Sequence, residues 1–301
     1  MPSASPPITF FNRHSAQIET ETVYGEGPLR WVYETTLGRM ALHALVRRGL
    51  FSKWYGWRMD QPASRARVAC FIERYGLDAA QFAEPAESYA TFNDFFYRKL
   101  KPSARPIDAA PASVVLPADG RHLLLPDVAA CEDFFIKGTR FNLAALLGDA
   151  ELARRFAHGT MIISRLCPVD YHRFHFPCAG TASAPRLING PLYSVSPLAL
   201  ARRPSILWEN KRYLTRIASH ALGEVLYLEI GATCVGSVVH TSTSGEPFGK
   251  GAEKGYFAFG GSSTLTLFEP GAVRLEADLL ENSARQIELY ARIGSRMGHS
   301  A

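Results

Sequence analysis

Two periodicities divide the chain. Between residues 29 and 100 apolar positions recur at helical spacing; beyond about residue 112 they come in short alternating or continuous blocks broken by Gly and Pro. Leu37, Met40, Ala41, Ala44 and Leu45 fall on one face of a helix. A second helix is predicted over Ser64–Tyr75, closed by Gly76 as its C-cap. Ahead of them, residues 1–28 are polar and turn-rich, with a strand expected in Gln17–Val23. Tyr97-Arg98-Lys99-Leu100-Lys101-Pro102 then leads into a Pro-rich connector ending near Pro111. In the second region Val225–Ile230 and Thr264–Phe268 read as strands, the latter alternating Thr264, Leu265, Thr266, Leu267, and a short helix is expected near Leu143–Leu147. Helices followed by a run of strands give an α+β fold: residues 1–111 as an N-terminal strand and helical cap with its connector, residues 112–301 as a β-rich body.

Composition narrows this only a little. With 301 residues, 47% apolar and 20% charged, the chain has material for a substantial core and is neither a disordered segment nor a membrane channel. A net charge of +5 favours anionic partners without naming them. Five scattered cysteines do not suggest a disulfide framework, and a reducing compartment is expected. The first residues lack the basic start and apolar core of a secretory signal, and no stretch approaches the length of a bilayer span. Membrane contact is therefore expected to be peripheral. One segment invites it: Arg47–Arg58 mixes Arg47, Arg48, Lys53 and Arg58 with Phe51, Trp54, Tyr55 and Trp57. Such a mixture suits rings dipping among headgroups and cations pairing with anionic lipid. It equally suits a helix that packs its aromatics inward and leaves its charges in water.

Three clusters carry candidate chemistry. In Gly255–Thr264, Gly260 and Gly261 directly precede Ser262 and Ser263. Glycines there let the backbone bend until a serine oxygen reaches the preceding carbonyl, although a plain strand-entry turn has the same composition. In Cys167–Cys178, the spacing of Cys167, His172, His175 and Cys178 resembles a zinc set, but structural zinc sites usually draw on two separated ligand pairs. In an extended segment His172 and His175 also project to opposite faces. The alternatives are acid–base work by one or both histidines, or histidines simply satisfied by hydrogen bonds. Asp119, in the turn Leu116-Pro117-Ala118-Asp119-Gly120, is either a turn-former or an acid that orients a histidine.

Together these segments resemble the phosphatidylserine decarboxylase family over nearly the whole chain. The similarity runs in the family's order through Val23-Tyr24-Gly25-Glu26, Phe92–Pro102, Pro117–Gly120, Lys137-Gly138, Asp170–His175, Gly190–Val195, Asn210-Lys211-Arg212, Gly231–Ser237 and the Gly-Gly-Ser-Ser segment. What the resemblance implies is a proenzyme. Ser262 attacks the carbonyl of Gly261, the ester eliminates to a dehydroalanine, and hydrolysis leaves an N-terminal pyruvoyl group on the fragment 262–301, associated with a large fragment 1–261. The family's relay maps onto Asp119, His175 and Ser262; His172 maps to a role at the substrate and Ser194 to a substrate contact. Many members have threonine where this chain has Ser263, which keeps a hydroxyl; Gly261 directly precedes Ser262, and that makes Ser262 the nucleophile of choice. The pyruvoyl carbonyl would capture the amine of phosphatidylserine as a Schiff base and accept the electrons left by CO2, giving phosphatidylethanolamine. No metal and no nucleic acid are implied. The partners are phosphatidylserine and a phospholipid surface, at the cytoplasmic face of the cell membrane, and a homodimer is compatible with this reading. Two rivals remain: a pyruvoyl enzyme acting on a soluble amino acid, and a non-cleaving binding module of the same fold.

Overall fold

The alternation that marks Thr264–Phe268 as a strand extends back to Ser262, and in the computed structural model the strand Ser262–Phe268 lies near the middle of an eleven-stranded sheet. Residues 7–22, 25–42, 46–131, 140–233, 238–260 and 262–301 are described. Val23 and Tyr24, Ala44 and Leu45, Lys137 and Gly138, Cys234–Ser237 and Gly261, all part of the sequence expectations, lie outside them. Ser262–Phe268 runs antiparallel between Gly223–Ile230 and Thr160–Leu166, with Ser262 opposite Leu166 and Thr264 opposite Glu229. The sheet continues past Thr160–Leu166 through Gly120–Leu125 and Glu288–Ala291 to the N-terminal strands Thr9–Asn12 and Gln17–Thr20.

Period two sends alternate side chains of the central strand into two cores. Leu265 and Leu267 pack with Met161, Ile163, Leu226 and Leu228 on one side. Phe268 packs with Ile162, Leu166, Val225 and Tyr227 on the other. A smaller sheet of Val238–His240, Glu253–Phe257 and Arg173–His175 contributes Phe174 and Phe257 to that second core. The strand Arg173–His175, which carries one candidate histidine and directly follows the other, thus packs into the core on the Phe268 side of the strand that begins at Ser262.

The helical region agrees with the sequence at Arg67–Tyr75, which a 3-10 turn over Pro62–Ala66 precedes and Gly76 closes in the left-handed conformation. The short helix falls at Leu143–Leu147. Gly49–Met59 and Phe92–Phe96 complete an aromatic cluster in which Phe71, Phe92, Phe95, Phe96 and Phe259 meet. Around Leu37 the outcome is less obvious from spacing. Within Thr36–Ala41 it is Gly38 that is buried, because the helix Glu26–Glu34 passes so close that a Cβ would stand 2.0 Å from the Trp31 carbonyl oxygen. The apolar face bearing Leu37 and Met40 is therefore turned outward, where they are 71% and 63% exposed.

A buried ion network fastens the N-terminal segment to the body. Glu21 accepts hydrogen bonds from Arg165 at 2.6 and 3.0 Å, and Arg165 reaches Glu288 at 2.5 Å. Burial alone would raise the Glu21 carboxyl. The Arg165 charge and hydrogen bonds, helped by Arg121 and Cys167, more than reverse this and hold its pKa at about 2 against 4.5 for a free carboxyl. A depressed acid contributes stability above its unfolded pKa and loses it as pH falls through the folded one. Glu21→Gln is accordingly expected to cost about 3 kcal/mol at neutral pH and to flatten the fall in stability between pH 4.5 and about 2. Urea unfolding across that range measures it, and an unchanged acid slope would refute the role given to Glu21.

Candidate active site

The candidate scissile segment is held from both ends. Upstream, Phe259 is set in the aromatic cluster, stacked on Tyr55 at 5.5 Å and edge-on to Phe92 and Phe96 at 5.3 and 4.9 Å between centroids. Its backbone N–H donates to Asn93 Oδ1 at 2.9 Å, and Asn93 is fixed in turn by donating to Asp60 at 2.6 Å. Downstream, Ser262 is already a residue of the central strand. Between them Gly260 has φ +131°, a conformation that residues with a Cβ rarely adopt. Gly261 lies outside the described residues.

Ser262 is fully buried, and its Oγ has no hydrogen-bond partner among the described residues. By the alternation of the strand it shares a face with Thr264 and Thr266, toward the core holding Phe174 and Phe257, whereas Ser263 shares the opposite face with Leu265. The two serines are therefore not interchangeable in direction.

His172 and His175 flank Arg173 and Phe174, His175 within the facing sheet and His172 just ahead of its strand. His172 is fully buried, its ring 3.9 Å from that of Phe96, which also contacts Phe259. Its Nδ1–H donates to the Asp170 carbonyl at 2.9 Å, and Nε2 completes no hydrogen bond among the described residues. Burial drives its pKa down to about 3, opposed by the carbonyls of Asp170 and Gly260. His172 is thus a neutral imidazole beside the turn that leads into Ser262. His175 donates from Nδ1 to the Gly251 carbonyl at 2.8 Å, and its Nε2 also lacks a partner among the described residues. Burial lowers its pKa, against the pull of the Gly251 carbonyl and of the Glu253 and Asp119 charges. In both rings the proton is fixed on Nδ1, which leaves Nε2 as a lone-pair base.

Asp119 acts on His175 through its charge, without a hydrogen bond between them. Its carboxylate takes three contacts of 2.6–2.9 Å from Arg105 and one of 2.9 Å from the Ile293 N–H. The glycine after it, Gly120, leaves no room for a side chain: a Cβ would lie 2.4 Å from the Arg165 carbonyl oxygen. Ser194 stands elsewhere, on the wall of a cavity of about 560 Å³ that Leu166, Phe259 and Gly260 also line, with Tyr33 and Tyr55 from the helical region. Its N–H donates to the Tyr33 hydroxyl at 3.0 Å, and its Oγ accepts from the Ser196 N–H at 3.1 Å. Ser194 and the candidate cleavage turn are therefore neighbours across one largely apolar cavity. Cys167 does not join the histidines as a ligand set. Its thiol donates to Glu21, and among the described residues no three His, Cys, Asp or Glu side chains gather as a metal site.

Sequence reasoning missed Asn93, Phe96 and Phe259 as parts of this site. Each lies inside or beside a quoted motif, but only long-range contact reveals its task.

The model of the family described as phosphatidylserine decarboxylase matches residues 92–299. Among curated relatives, the phosphatidylserine decarboxylase proenzyme of Fusobacterium nucleatum is 41% identical over 292 residues, covering 97% of either chain. Proteins of the same name from Chlamydia trachomatis and Chlamydia muridarum are each 43% identical, over 295 and 294 residues and 98% of either chain.

The state of His172 is open to direct measurement. Nitrogen-detected histidine NMR is expected to show the Nδ1–H neutral tautomer unchanged from about pH 8 to about 5, because burial, not a partner, sets its pKa. A His172 resonance titrating near the ordinary 6.5 would refute this.

Proposed function

The chain belongs to the phosphatidylserine decarboxylase family, and we propose that it is made as a proenzyme that cuts itself between Gly261 and Ser262 and then converts phosphatidylserine to phosphatidylethanolamine and CO2. As a member of that family it is a carboxy-lyase. The observation that carries the maturation step is the buried, unpartnered Ser262 Oγ, facing a sheet whose two histidines each keep an unpartnered Nε2. Buried polar atoms are nearly always paired, so each exception needs an explanation. Ser263, Thr264 and Thr266 also lack partners among the described residues, and it is the place of Ser262 directly after the Gly260 turn that fits it to the cut.

In the first step Ser262 Oγ gives up its proton to a base and bonds to the Gly261 carbonyl carbon; the peptide bond breaks, leaving an ester and a free amine. Loss of the Ser262 α-proton then expels the Gly261 carboxylate and leaves a dehydroalanine, which water converts to a pyruvoyl group with release of ammonia. A serine is inert without a base. We assign that base to His175, whose Nδ1–H is fixed by Gly251 and whose basicity the Asp119 charge supports. His172 is assigned to proton handling at the substrate, and Ser194 to substrate contact. The position of His172 beside Gly260 favours a second reading, in which His172 is the base for the cut.

The pyruvoyl group supplies a carbonyl that takes up the substrate amine and an electron sink for the departing CO2. The residues present suit such a group: a buried hydroxyl at the start of a strand, next to a turn that borders an apolar cavity. After the cut, Ser262–Phe268 keeps its ladders to Gly223–Ile230 and Thr160–Leu166, so fragments 1–261 and 262–301 stay joined without a covalent link.

Lipid as substrate is supported by what the helical region leaves in the open. Trp31, Leu37, Met40, Leu50, Trp54 and Trp57 are all exposed, Leu50 by 79%, among Arg39, Arg48, Lys53 and Arg58. Helix Glu26–Glu34 also lends Leu29, Val32 and Tyr33 to the cavity. An enzyme for a soluble amino acid has no use for such a surface. No described helix is long and apolar enough to cross a membrane. From the exposed aromatic and basic residues we infer peripheral attachment, and from the family resemblance its place at the cytoplasmic face.

Ser262→Ala and His175→Ala are expected to remain single chains on denaturing gels. His172→Ala should still cut, with turnover of phosphatidylserine lowered by about 10²–10⁴. An uncut His172→Ala beside a cut His175→Ala would reverse the two assignments, and intact mass identifies both the cut and the pyruvoyl group. Separately, replacing Leu50, Trp54 and Trp57 by serine should weaken co-sedimentation with anionic vesicles by about tenfold or more. Unchanged sedimentation would remove this surface from the lipid contact.

A further inference from the structure

Arg98 is a buried cation without an ion-pair partner among the described residues. It is 5% exposed, and its Nε and Nη1 find no hydrogen-bond partner among the described residues, nor does it form an ion pair there. The Phe82 and Phe95 rings lie 5.0 and 4.8 Å from its guanidinium carbon. Rings of this kind attract a cation by about 0.5–2 kcal/mol, less than the several kcal/mol that desolvating an ion costs. The side chain cannot escape by losing its proton, since burial brings its pKa down only to about 10.

Arg98 borders a cavity of about 330 Å³ that shares only Tyr75 with the cavity beside Gly260. Three more arginines line it. Arg105 is engaged by Asp119 and Gln81, and Arg121 by Asp170 and Glu21. The half-buried Arg292 has an Nε without a partner among the described residues. The two other acids on the wall are occupied elsewhere: Glu19 accepts from Asn12 and Ser15, and Asp78 from Ala80 N–H and Gln81. These donors are neutral, so Glu19 and Asp78 keep their charges, and among the described residues Arg98 and Arg292 are the two guanidiniums on this wall that no carboxylate pairs directly.

We propose that this cavity is a binding site for a phosphate-type oxyanion, held by Arg98 with Arg292 as the second donor. A guanidinium fork presents paired N–H groups to oxygens of one anion, and two forks from different walls suit a tetrahedral group better than a planar carboxylate. Its neighbour on the wall is Asp119, so an occupant would change the field at the acid assigned to the cleavage relay. The site itself does not depend on that assignment. Either free phosphate or the phosphodiester of a lipid headgroup has the required chemistry.

The test is calorimetric titration of the purified protein, Arg98→Met and Arg292→Gln, at constant ionic strength. Inorganic phosphate is titrated in one arm and water-soluble glycerophosphoethanolamine in the other. Saturable binding of at least one is expected, weakened about tenfold or more in each variant, as loss of a charge-assisted hydrogen bond implies. Preference for the monoester assigns the site to free phosphate, and preference for the diester assigns it to a headgroup. In phosphate-free buffer Arg98→Met should melt no lower than the native chain, because it removes an unpaired buried charge. Absence of binding in both arms would overturn the site, as would full affinity in Arg98→Met. Should Arg98→Met not fold, Arg292→Gln decides alone, and unchanged affinity there would sink the proposal.

Discussion

The structure depends on a short backbone segment being held between two anchors that belong to different layers. Phe259 is set among Tyr55, Phe92 and Phe96 of the helical region, and Ser262 is locked into the sheet opposite Leu166. Two residues separate them, with Gly260 in a backbone conformation that a Cβ would oppose. Ordering such a segment costs conformational entropy that it cannot recover from its own few contacts. The aromatic cluster on one side and the strand ladders on the other supply that stabilisation. The helical layer therefore does more than present a surface: without it, the carbonyl side of the candidate bond has no fixed place.

A second consequence concerns polar atoms. Most of the buried charge is matched, as in Glu21 with Arg165 and Glu229 with Lys254 at 2.5 Å. Ser262 Oγ and the two histidine Nε2 atoms are among the buried atoms left unmatched in the described residues, as are the hydroxyls of Ser263, Thr264 and Thr266. Ser262 differs from these in standing directly after the turn at Gly260. Desolvation keeps both imidazoles neutral, and each spends its proton on a main-chain carbonyl. A neutral ring with a directed lone pair is what proton abstraction from an alcohol needs, whereas an imidazolium would be useless as a base. The fold thus sets protonation state by burial and tautomer by backbone, leaving side-chain charges such as Asp119 a supporting part.

How far the sequence could be read follows from the range of each interaction. Alternation along Thr264–Phe268 and the Gly76 cap are local, and both are found where the residues indicate. The divergence of Ser262 from Ser263 follows from strand geometry alone, whereas His172 lies just outside the strand Arg173–His175, so simple alternation does not fix its direction relative to His175. The outward turn of Leu37 and Met40 was not legible. It depends on the close crossing at Gly38, which spacing cannot reveal. Asn93 and Phe259 are 166 positions apart, and Glu21 and Arg165 are 144 apart. No local pattern announces such pairs. The motifs could be recognised by resemblance, but the reason Phe92–Pro102 belongs with the Gly-Gly-Ser-Ser turn appears only when the two touch.

One helix joins the surface to the chemistry. Glu26–Glu34 exposes Trp31 on one side and contributes Leu29, Val32 and Tyr33 to the cavity on the other. The Tyr33 hydroxyl accepts from Ser194 N–H, on a wall that Gly260 completes. A lipid presenting its headgroup to this cavity would keep its acyl chains beside the apolar surface of the same helix and of Gly49–Met59. The proposed lipid contact would also account for the exposure of Leu50 and Trp57 in a protein with ample buried core. Their solvation cost is recovered only at an apolar interface, and that interface is where the proposed substrate is found.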